Sequence, residues 1–261
     1  MKLFCNMEKL IEIIKNFNFN DNLHFRQLEI ELSKSTEFPV ALQMQIPKGK
    51  KIFRCRKNEN KSKLFYFESD ISYRRDIENI KYLGRCNKPY SSKFYGSIAT
   101  ESIKHGYITS ITETSSLFRN KANGIERFTT GMWNIEKPIN ALVIIPDLDN
   151  PQKSKLNIEL VKAHNNIKNK EEFNDKHIEL VKLLNKEFSK TVKVNSEIEY
   201  FISAIFSEKL LQESKFIDAV VFASIQADSE GLNIVMNPQK ADEILKLEAV
   251  AIHDFIKIKD N

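Results

Sequence analysis

The sequence predicts an α+β fold in which mixed sheets carry flanking helices. Short runs rich in aromatic and β-branched residues, bounded by polar turns, are interspersed with charged helical patterns. No regular strand–helix–strand repeat orders them, which argues against a doubly wound parallel sheet. The 261 residues are 41% hydrophobic and 10% aromatic, with only 7 Gly and 7 Pro. That composition supports a packed core in one large domain or two small ones, and it is unlike a disordered chain.

Taken in order, Leu10, Ile11, Ile13, Ile14 and Phe17 recur at near-helical spacing, so residues 7–17 read as a short helix. Leu28, Ile30 and Leu32 alternate with charges and fit either a strand or a second short helix. Ile52–Arg54 and Leu64–Phe67 read as strands separated by the polar stretch Lys57–Lys63. Lys93–Ser97 is a further strand. Tyr107–Phe118, free of Gly and Pro, reads as one helix. Glu126–Trp133 and Ile139–Ile145 are strands, the second so continuously apolar that it should be buried.

After a turn-rich Asp147–Lys155, the segment Leu156–Phe188 has the pattern of a helical hairpin broken near Lys168–Glu171. Ser196 is placed to cap the next helix, with Glu199 in the capping-box position. Phe216–Ala223 and Leu232–Met236 flank a turn at Asp228–Gly231. Pro238–Leu245 reads as a short helix and Leu247–Ile258 as a final strand.

The glycines exclude chemistry. None of Gly49, Gly84, Gly96, Gly106, Gly124, Gly131 and Gly231 falls in a GxGxxG or GxxxxGKT pattern, so the usual phosphate-cradling loops are missing. Forty Lys and Arg against 35 Asp and Glu leave a net charge of +5. That balance permits an anionic ligand without making nucleic acid an expected partner. Cys5, Cys55 and Cys86 are odd in number and form no CxxC pair, so neither a zinc site nor a disulfide framework is expected. Residues 1–19 mix apolar and charged side chains, unlike a signal peptide, and no run reaches membrane-spanning length. A cytoplasmic protein without a membrane partner is the expectation.

Three clusters could carry chemistry. In Phe53-Arg54-Cys55-Arg56, strand alternation puts Arg54 and Arg56 on one face, as a solvated edge or a fork for paired phosphates. Ser72-Tyr73, Gly84-Arg85-Cys86-Asn87-Lys88-Pro89 and Phe94-Tyr95-Gly96-Ser97 offer an Arg and aromatic rings to a planar or anionic ligand, or form an ordinary loop entering a core strand. Ser224, at the end of a strand and ahead of Gly231 and Asn233, can bond a ligand or its own backbone.

In their order and spelling these segments, with Thr112-Glu113-Thr114 between them, resemble the RES domain, a family named for Arg, Glu and Ser and linked to NAD-consuming toxins. The resemblance spans about residues 46–245. It leaves residues 1–45 as an N-terminal helical or extended extension, 156–188 as a helical insertion and 246–261 as a C-terminal strand.

The resemblance implies a fold like the ADP-ribosyltransferases and an NAD+-degrading enzyme that cleaves the nicotinamide–ribose bond. NAD+ would be substrate, inorganic phosphate or water the acceptor, and no metal would be needed. Glu113 would stabilise the cationic ribose, with Glu101 as the competing acid. Arg54, Arg56 and Arg85 would hold phosphates. Tyr95, and secondarily Tyr73, would stack on the substrate. Ser224 would bond the nicotinamide amide or place the acid. A protein antitoxin is the implied partner, and whether a second copy of the chain is another is left open. Protein ADP-ribosylation and an inactive nucleotide- or nucleic-acid-binding module remain the alternatives.

Overall fold

Apolar runs too continuous for half-exposed strands build the centre of an eight-stranded mixed sheet. The computed structural model describes residues 7–34, 42–59, 64–120, 123–145, 154–168, 175–193 and 195–258. The strands are β1 (Gln43–Ile46), β2 (Lys51–Lys57), β3 (Phe94–Ile98), β4 (Gly124–Ile135), β5 (Ile139–Ile144), β6 (Ala219–Ala223), β7 (Leu232–Met236) and β8 (Leu245–Lys257). Their order is β1-β5-β6-β7-β3-β2-β4-β8. Only β5 and β6 run parallel; every other neighbouring pair is antiparallel.

Nine helices join these strands among the described residues: α1 (Met7–Lys15), α2 (Asn22–Lys34), α3 (Glu68–Ile71), α4 (Gly106–Thr114), α5 (Ser116–Asn120), α6 (Lys155–Lys168), α7 (Asp175–Ser189), α8 (Phe201–Glu213) and α9 (Pro238–Ile244). All residues of β6 and β7 are buried because both faces of the sheet are covered there. One core joins Ile52, Phe94, Trp133, Ile234 and Met236 to α6 and α9. The second, on the opposite face, joins Val220, Phe222 and Val235 to α1, α2, α7 and α8. Phe94 and its neighbour Tyr95 thus belong to different cores, as strand alternation requires.

An α+β architecture with flanking helices is therefore present, built on one sheet. Several local expectations change. Leu28 and Leu32 are buried one helical turn apart while Ile30 is exposed, which makes this segment helix α2. Leu64–Phe67 is not a strand, because Asp70 Oδ2 accepts the Tyr66 and Phe67 N–H groups at 3.1 and 3.0 Å and starts α3 instead. The helix expected over Tyr107–Phe118 is broken at Ser115, whose Oγ accepts the Phe118 N–H at 3.0 Å and begins α5.

Ser196 makes no side-chain cap. It precedes a 3-10 turn at Glu197–Tyr200, and α8 begins only at Phe201, buried on every side from Phe201 to Leu211. Ser214 Oγ accepts the Phe216 and Ile217 N–H groups, so a turn holds this segment and β6 starts at Ala219. Cys5, most of the Asp147–Lys155 turn and the expected Lys168–Glu171 break lie outside the described residues, Lys168 itself closing α6. No described helix is long and apolar enough to cross a membrane.

Candidate active site

A parting of strands makes the cleft. β2 and β3 pair at Ile52↔Ile98 and Phe53↔Ser97 and then separate, β2 continuing along β4 and β3 along β7. Arg54 occupies the parting. Its Nε donates to the Ser72 carbonyl at 2.9 Å and its Nη1 to the Tyr95 carbonyl at 2.7 Å, with the guanidinium 5.6 Å from the Phe94 ring centre. Burial first, and the like charge of Arg56 second, lower its pKa to about 10, so it stays cationic at neutral pH.

The cleft encloses about 190 Å³, with Arg54, Arg85, Tyr95, Glu113, Tyr200 and Asn233 among its lining residues. Helix α4 packs across β2, β3 and β7 and carries Glu113 on its last turn. Two glycines allow that approach. A Cβ on Gly106 would lie 2.7 Å from the Phe53 ring, and one on Gly231 would lie 2.4 Å from Thr109 Oγ1.

At that distance Glu113 Oε1 accepts Ser224 Oγ–H at 2.6 Å and Asn233 Nδ2–H at 2.9 Å. Among the described residues Oε2 accepts no hydrogen bond. Ser224 Oγ also accepts the Ala227 N–H at 3.1 Å, so one hydroxyl both shapes the β6–β7 turn and holds the acid. Asp228 and Ser229 in that turn adopt left-handed backbone, φ 49° and 63°. Asn233 sits opposite Ser97 in the β3–β7 register and accepts its hydroxyl at 3.3 Å, which turns the amide nitrogen toward Glu113.

The far wall comes from the helical segment. Arg85 donates Nη1 to the Phe188 carbonyl and Nη2 to the Lys190 carbonyl, at and just beyond the end of α7. Its guanidinium lies 4.9 Å from the Tyr200 ring centre and 5.8 Å from that of Phe222. Gly84 and Asn87 close a tight turn around Arg85. The Tyr95 hydroxyl completes it, donating to Asn87 Oδ1 at 2.8 Å and accepting the Cys86 N–H at 3.0 Å. Burial pushes the Tyr95 phenol well up, so it remains protonated, while the residue also lines the cleft.

The structure thus brings together Arg54, Arg85, Tyr95, Glu113 and Ser224. It does not bring in Arg56, whose Nη1 donates to the Asp70 carbonyl at 2.5 Å and whose guanidinium lies over Phe65. Tyr73 is buried elsewhere, its hydroxyl donating to Asp242 at 2.7 Å. Burial, then Asp242, raises its pKa. Glu101 is exposed in the loop before α4 and is not among the lining residues.

Asn233 as a second holder of the acid, and Tyr200 as a wall, are additions. The Asn233–Ser97 pairing could be found only from strand register, which the linear sequence does not carry. Burial raises the Cys55 thiol to about 11, so this cleft-lining cysteine is no thiolate nucleophile at neutral pH. Among the described residues no group of three or more His, Cys, Asp and Glu side chains is arranged to hold a metal. Compared with known proteins, the chain matches no family model and no curated sequence.

Proposed function

We propose that this cleft binds NAD+ and cleaves its nicotinamide–ribose bond, on a scaffold like that of the ADP-ribosyltransferases and in the manner the RES resemblance implies. The observation that carries the reading is Glu113, held on one oxygen by two neutral donors and set in a cleft that also presents Arg54 and Arg85. Breaking the C–N bond sends its electron pair to the nicotinamide nitrogen and leaves an oxocarbenium-like ribose. A carboxylate fixed beside that carbon stabilises the positive charge without having to reorganise.

Arg54 and Arg85 supply the positive charge that a glycine loop would otherwise provide through backbone N–H groups. Both are anchored to backbone carbonyls, so little side-chain freedom is lost when a phosphate binds. Phosphate or water then forms the new C1″–O bond, and the proton of the acceptor passes to solvent. A cytoplasmic toxin restrained by a protein antitoxin is the biological setting this chemistry fits.

Incubating the folded protein with NAD+, with and without inorganic phosphate, tests the proposal. Release of nicotinamide is the expected result, and ADP-ribose 1″-phosphate in the phosphate arm identifies phosphorolysis. Transfer of label onto protein identifies an ADP-ribosyltransferase instead. No nicotinamide in any arm overturns the reading in favour of a binding module.

A further inference from the structure

Two strands beyond β2, at one end of the sheet, the β8 edge carries a feature that the cleft chemistry does not use. β8 is the last strand in the sheet and pairs with β4 on one side only. It runs 13 residues, against 4 for the other edge strand, β1. Its outer edge turns alternate N–H and C=O groups away from β4, and among the described residues no strand meets them. Residues 245–257 contain no Pro or Gly, and the single bulge, at Met132/Trp133 of the β4 pairing, leaves Ala249–Lys257 regular. Edges of this length are normally blunted, because they template pairing with another strand.

The side chains point to what pairs there. Val250, Ile252 and Ile256 are 49%, 51% and 56% exposed on the face away from α4, and Ile125, opposite Ile256, is 47% exposed. We propose that β8 is a self-association edge, to which a second copy of this chain adds its own β8 antiparallel about a two-fold axis at His253. That register sets Val250 opposite Ile256 and Ala251 opposite Phe255, each pair occurring twice.

The charges match as well. Lys257 falls opposite Ala249 of the second copy, on the face where its ammonium lies over Phe118 and where it makes no ion pair among the described residues. The bulge turns Glu248 to that face, where it reaches Lys51. Lys257 of one copy therefore comes beside Glu248 of the other, twice by symmetry. In this register His253 faces its own copy across the axis, and among the described residues no Lys, Arg, Asp or Glu stands opposite one of like sign.

Analytical ultracentrifugation of the full chain tests the proposal. A dimer is expected at about 100 µM, and Val250→Lys with Ile256→Lys should weaken it by at least about tenfold, while the melting temperature read at low concentration, where both proteins are monomeric, stays unchanged. Glu248→Lys alone should weaken the dimer. Adding Lys257→Glu in the same chain should restore it, which a merely structural effect of either substitution would not do. A wild-type monomer at that concentration overturns the proposal. So does a dimer that ignores the Val250 and Ile256 changes, or a monomer whose β8 edge binds a different protein.

Discussion

Glu113, half-buried on the last turn of α4, and Glu126, buried on β4 beneath the α4–α5 break, are both carboxylates held by neighbouring hydroxyls, yet their surroundings differ in kind. Glu126 is bonded on both oxygens: Lys57 and Ser116 reach Oε1, while Ser115 and the Leu117 N–H reach Oε2 at 2.5 and 3.3 Å. Burial alone would raise its pKa, but these donors together lower it to about 2. Glu113 has two neutral donors, both on Oε1, and faces a cleft. A carboxylate bonded all round fastens a helix start to a sheet. One bonded on a single oxygen, and walled by fixed cations, keeps acceptor capacity for a ligand.

Substitutions can break this contrast. Glu113→Gln should lower nicotinamide release by about 10²–10³-fold with NAD+ affinity retained, read from turnover alongside ligand-induced melting shifts. Arg54→Ala should raise the Michaelis constant for NAD+ at least about tenfold. It should also cost roughly 2 kcal/mol in denaturant unfolding, because two carbonyls lose a buried charged donor. Unchanged affinity would remove Arg54 from the phosphate role. Ser224→Ala should reduce turnover by about tenfold with little effect on substrate affinity, since Asn233 still holds Oε1.

Glu126→Gln sharpens the other side of the comparison. It should destabilise the fold by about 1–3 kcal/mol while the folded fraction keeps full activity per molecule. Because the Glu126 carboxyl is held below its ordinary value of 4.5, its contribution is complete above that pH and fades as pH falls toward 2. The wild type should therefore lose stability over that interval, and the Gln variant should show a shallower acid slope in melting temperature. Glu101→Gln, in the exposed loop, should change neither activity nor stability.

How much the sequence discloses follows from the range of the forces involved. The limits of β7 are legible at Leu232–Met236, where a largely apolar run is bounded by Gly231 and Asn237. The breaks at Ser115 and Ser214 are not, since a single hydroxyl accepting nearby N–H groups redirects the chain without any change in hydropathy. The sequence nominates Arg54, Arg85, Tyr95, Glu113 and Ser224 as an ordered set; in the fold the first four line one cleft and the buried Ser224 holds Glu113 from behind. Arg56 shares a face of β2 with Arg54 but is taken up by the Asp70 carbonyl and the Phe65 ring, and Tyr73, next to the Ser72 carbonyl that holds Arg54, turns into a core toward Asp242. Asn233 acquires its contact with Glu113 through the β3–β7 register and the close seat of α4 on Gly231, both long-range properties.

The most direct test of the account is nicotinamide release from NAD+ by wild type and Glu113→Gln side by side, each verified as folded by its melting temperature. The account predicts turnover by the wild type and a loss of at least about 10²-fold in the variant, with both proteins equally stable. Equal turnover by the two proteins, or none from the folded wild type with and without phosphate, would contradict it.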